Sequence, residues 1–182
     1  ILFEEAKCAM EGSGFKSQTI LFPQTINNFD FIQVNGAGQG GGNVGIVWGE
    51  ETTWGFTFDG NDENGWVSGG WGNGNMGVLF GLGMSTDDPG GDADKASTMD
   101  LMAAWGQDMP FGELGVRFEQ SSSDNGGGGD QPSSMSLGVN LRRGQSLWLF
   151  SDMLASFGFA SGSDAGGVKS SGMGLGVNCF TT

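Results

Sequence analysis

Large apolar residues fall on one parity of this chain, and glycine or small residues fall mainly on the other. In the stretch 76–84, Met76, Val78, Phe80, Leu82 and Met84 alternate with Gly77, Leu79, Gly81 and Gly83. Val44, Ile46 and Trp48 repeat the pattern, as do Trp54, Phe56 and Phe58, then Leu114, Val116 and Phe118. Met135, Leu137, Val139 and Leu141 follow, and Met173, Leu175, Val177 and Cys179 close the series. A period of two marks a β-strand, whose successive side chains point to opposite faces. Sustained 3.6-residue stripes are missing after residue 30, and the 37 glycines of this 182-residue chain disfavour helix.

The second face decides what kind of sheet this is. A soluble sheet usually turns Lys, Glu, Thr and Arg to water. Here that face is mostly glycine and small polar residues, which suits a narrow enclosed lumen with the apolar face outward. The joins agree. Short ones at 49–52, 72–75, 107–111 and 142–145 alternate with longer ones at 59–65, 86–96, 122–132 and 161–167. An up-and-down membrane barrel alternates in this way. The pattern predicts about ten strands, within a range of 8–10, at roughly 28–35, 43–49, 52–59, 65–71, 76–86, 96–106, 111–122, 132–142, 145–161 and 168–180. Nine strand residues span ~30 Å, or ~23 Å at a ~40° tilt, close to the apolar band of such barrels.

Trp48, Trp54, Trp71, Trp105 and Trp148 lie near short turns. Amphipathic rings favour the membrane–water interface, so they form a candidate interfacial girdle, although parity points Trp148 inward. The last strand alternates apolar residues up to Phe180. Taken together these features resemble bacterial outer-membrane β-barrel proteins over about residues 28–180. The resemblance implies an all-β, antiparallel, up-and-down transmembrane barrel over 28–182, with residues 1–27 as an N-terminal periplasmic arm or plug. It implies an outer-membrane location with both termini periplasmic, and partners among outer-membrane lipid or lipopolysaccharide, other envelope proteins or copies of itself. Two roles fit: a narrow channel, or a structural or docking subunit of an envelope assembly. A secreted soluble β-sandwich or adhesin-like surface protein is the competing reading, with the apolar stripes hidden between two sheets.

Charge and composition exclude several functions. The net charge of −14, from 21 acidic and 7 basic residues, argues against nucleic acid as a partner. The absence of histidine removes Ser-His-Asp and Cys-His machinery. Ten-stranded outer-membrane proteases use a catalytic histidine, as that resemblance implies, which this chain cannot supply. No enzymatic activity and no cofactor are expected. The G-x-G-x-x-G match at 36–41 leads into the strand-like NVGIVW, so it reads as a hairpin loop and not a dinucleotide site.

Three sets of residues remain as candidates. Arg117 shares an inward parity with Glu113 and Glu119, and Asp100 and Asp152 face the same way. These are the expected lumen charges. Asp59, Asn61 and Glu63, and the cluster Asp87, Asp88, Asp92 and Asp94, offer oxygen ligands for loosely bound Ca²⁺ or Mg²⁺. The EF-hand pattern fails, because Asn64 and Gly70 stand where the turn Gly and the bidentate Glu belong. Cys8 and Cys179 lie near opposite ends of the chain. Both fall on the periplasmic side in the barrel reading, where an oxidising environment would pair them; the alternative is a lipid-facing free thiol, since Cys179 shares the parity of Met173, Leu175 and Val177.

Overall fold

The computed structural model describes residues 22–28, 31–36, 42–60, 64–87, 95–126, 130–143 and 152–180. It holds a short 3-10 segment, Pro23–Asn28, followed by ten strands. These are β1 (Phe31–Gly36), β2 (Gly42–Trp48), β3 (Thr53–Gly60), β4 (Asn64–Gly72), β5 (Met76–Asp87), β6 (Ala96–Met109), β7 (Gly112–Asp124), β8 (Ser133–Arg143), β9 (Asp152–Ser163) and β10 (Lys169–Phe180). All belong to one antiparallel up-and-down sheet in sequence order. No helix among the described residues is long and apolar enough to cross a membrane.

Register converts the period-two pattern into rows across the sheet. One row runs Phe118, Leu137, Phe159, Met173, and the next runs Val116, Val139, Phe157, Leu175. Toward the long-loop end the same face turns polar, through Gln120, Met135, Ser161, Ser171 and then Ser133, Ser163, Lys169. The β4–β5 turn shows how the tight joins form. The Asn73 carboxamide oxygen accepts hydrogen bonds from the Asn75 and Met76 amides at 3.1 and 2.9 Å. Gly74 between them has a φ of 83°, a left-handed conformation that favours glycine.

The faces are inverted relative to a soluble protein. The apolar row residues lie exposed: Phe80 is 59%, Met84 60% and Leu175 80% accessible. Buried positions include Thr53, Thr57, Ser68, Arg117 and Asn140 on the opposite, inner face. There Thr57 Oγ1 and Ser68 Oγ share a hydrogen bond of 2.6 Å. Replacing Thr57 by valine keeps the shape but leaves the buried Ser68 hydroxyl without that partner. The expected cost is about 1–2 kcal/mol in urea unfolding, and a neutral result would mean that the inner face is freely hydrated at this level.

Several expectations need correction. The sheet is not closed, since no pairing joins β10 to β1 among the described residues. β1 starts at Phe31 and not at 28, because residues 23–28 coil into the 3-10 segment. β9 is described from Asp152; its expected start at 145 falls in residues 144–151, which lie outside the described ones, Trp148 with them. The join expected to be long at 59–65 shrinks to 61–63, because Asp59 and Gly60 continue the β3–β4 ladder opposite Trp66 and Gly65.

Candidate functional site

The inner face is built by glycine and small residues, and its short-turn end is filled by the chain itself. Phe22, Pro23, Gln24, Thr25 and Ile26 are all buried, with Ile26 at 0% accessibility, against the inner face of β3 to β6. Ile26 packs in one cluster with Val47, Leu79, Met102 and Ala104, and Trp66 flanks it. The floor beneath is Gly72, Gly77 and Gly106. A Cβ at Gly72 would stand 2.6 Å from Ile26 Cγ2, and one at Gly77 or Gly106 would overlap Pro23 and Gln24. Thr25 Oγ1 donates to the Phe22 carbonyl at 2.7 Å, which holds the coil together. Gln24 Nε2 donates to Asp108 Oδ1 at 3.2 Å and ties the segment to β6.

The charges expected to line a lumen lie on the inner face, most of them in two groups. In the middle of β7, Arg117 Nη2 donates to Glu119 Oε2 at 3.2 Å, and Ser136 Oγ donates to the same oxygen at 3.1 Å. Arg117 is only 6% accessible. Near the short turns, Arg142 Nε donates to Asp152 Oδ2 at 2.9 Å, and Arg142 Nη1 lies 3.5 Å from Glu113 Oε2. Asp108 is the cross-strand neighbour of Glu113. Asp100 lies opposite Gly83, where the ring of Trp66 rests on the glycine floor. Gln24 Oε1, Trp66 Nε1 and Asp152 Oδ1 are buried with no hydrogen-bond partner among the described residues.

Trp66, Gln24, Asp108 and Arg142 were not among the expected site residues. Parity alone would have caught Asp108 and Arg142, which continue the inward positions of their strands. Their charge made them read as turn residues. Trp66 also shares the inward parity of Ser68 and Gly70, but its seat over Gly81 and Gly83 depends on the register of β4 against β5.

On the outer face, Trp48 pairs with Trp54, Trp54 with Trp71, Trp71 with Val78 and Val78 with Trp105. Four tryptophans thus share one transverse row near the short turns, and the rings of Trp54 and Trp71 meet at a tilt of 59° with 6.5 Å between centroids. At the opposite end of this face, a groove of about 460 Å³ runs among Gln120, Ser133, Ser161, Ser163, Lys169 and Ser171.

Of the candidate cation ligands, Asn61, Glu63, Asp88, Asp92 and Asp94 lie outside the described residues. Asp59 sits on the inner parity of β3, and Asp87 ends β5. The described residues contain no group of three or more acidic or cysteine side chains that could hold a metal. Cys179 is a free, exposed thiol in line with Val177, while Cys8 lies outside the described residues. No family model matches the chain, no curated protein matches it, and no solved structure matches it.

Proposed function

We propose that the chain is a non-enzymatic bacterial outer-membrane β-barrel whose open sheet closes in the membrane, β1 meeting β10, with its termini in the periplasm and its lumen stoppered at rest. One observation carries the reading: the large apolar side chains of the outer rows lie exposed, whereas Thr53, Thr57, Ser68, Arg117 and Asn140 are buried on the inner face beside Val47, Leu79 and Met102. Water penalises such an arrangement, whereas lipid favours it. Closure follows from the same physics, because an unpaired strand edge in hydrocarbon leaves its amides and carbonyls unsatisfied at several kcal/mol each.

The tryptophan row supports a periplasmic interface at the short turns, and the polar rows ending in Ser171 and Lys169 support a second interface toward the long loops. Lipopolysaccharide and other envelope proteins are the partners that such a wall would meet. Stoppered, the barrel serves as a structural or docking subunit. Cell fractionation tests the proposal. The chain should stay with outer membranes through a urea wash, leave them only in detergent, and migrate faster on SDS gels unheated than boiled. Recovery as a stable monomer in plain buffer would instead favour the sandwich-like or adhesin reading.

A further inference from the structure

We propose that Pro23–Asn28 is a removable stopper, and that the passage it closes conducts small cations; this rests on the membrane-barrel reading above. The fit is between the segment and a floor kept bare for it. For Gly72, Gly77 and Gly106, the three heavy atoms nearest an added Cβ all belong to Pro23, Gln24 or Ile26, and none to a neighbouring strand. These glycines therefore serve the docking of the segment and not the pairing of the sheet. A strand interior gains nothing from glycine otherwise, since it loses side-chain packing and pays more backbone entropy.

The hold is mostly steric. Ile26 packs with Leu79 and its neighbours, and Gln24 to Asp108 acts as a polar latch. The second oxygen-bearing end of that latch, Gln24 Oε1, is buried without a partner among the described residues. A segment of six residues seated in this way can leave without breaking a ladder hydrogen bond of the sheet.

What it uncovers has a sign. Asp59, Asp100, Asp108, Glu113, Glu119 and Asp152 share the inner parity, and Arg117 and Arg142 offset only part of their charge. A confined passage lined with excess carboxylate raises the local concentration of cations and repels anions.

Planar-bilayer recording on the full chain tests both halves, with flotation on phosphatidylcholine vesicles as the insertion control. Wild type should float and give only rare, brief openings in KCl. Gly77→Ala should float equally and raise mean conductance at least tenfold, with a reversal potential on the potassium side in a salt gradient. Ile26→Glu, which alters the stopper and leaves the strands untouched, should do the same. Gly65→Ala should stay silent, because nothing lies within 4 Å of its added Cβ. Floating but silent Gly77→Ala and Ile26→Glu variants would overturn the stopper, as would steady conductance by wild type. An anion-selective current would overturn the cation assignment. Failure of wild type to float would remove the barrel reading itself, and this inference with it.

Discussion

Arginine in place of Phe80 is expected to cost about 2–4 kcal/mol of stability in lipid vesicles, the depth-dependent penalty for a cation near the bilayer midplane. Phe80 lies near the centre of the exposed apolar row of β5, with Val78 and Leu82 on either side and Met76 and Met84 beyond them. Across the ladders it meets Gly69 and Ala103, so no carboxylate is at hand to neutralise the new charge. Snorkelling toward either interface has to cross the rest of the apolar band. An apolar face in lipid and one in water predict different magnitudes. On a sheet exposed to water, a side chain that is 59% accessible tolerates arginine within about ±0.5 kcal/mol, and solubility rises. Urea unfolding of wild type and Phe80→Arg in phosphatidylcholine vesicles separates the two. An unchanged midpoint there would end the lipid-facing assignment of this row.

The second large effect is expected on the inner face. Glu119→Leu should cost about 3 kcal/mol, because it leaves the guanidinium of Arg117 in a site where that side chain is only 6% accessible. The lower end of the usual range for a broken buried pair applies, since Arg117 has further contacts besides Glu119. Ser136 loses its acceptor in the same substitution. Replacing both partners, Arg117→Met with Glu119→Leu, removes the stranded charge and should recover more than half of the loss. A double-mutant cycle on urea midpoints reads the coupling directly. Additive single effects would mean that the pair is solvated by water at the inner face and that Arg117 is not held by Glu119.

The period of two was legible without coordinates, and so was most of the strand order. Parity put Phe80 on one face and Arg117 with Glu119 on the other, because a strand's side chains can point in only two directions. It failed where a feature depended on what lies across the sheet. Gly60 reads as a loop residue until its ladder partner Gly65 extends β3. Asp108 and Arg142 look like turn charges until Gln24 reaches the one and Asp152 and Glu113 reach the other.

By itself, the sequence determined that these residues form strands with one apolar and one small-residue face, since alternation is a local property of the backbone. Only the tertiary structure decided what those small residues are for. Gly72, Gly77 and Gly106 are unremarkable as letters. They become a docking floor because Pro23 to Ile26, some fifty to eighty positions earlier, folds back onto them and fills the space where a Cβ would stand. A contact of that range leaves no periodic trace in the chain, because it depends on the shape of a surface that exists only once β4, β5 and β6 have paired.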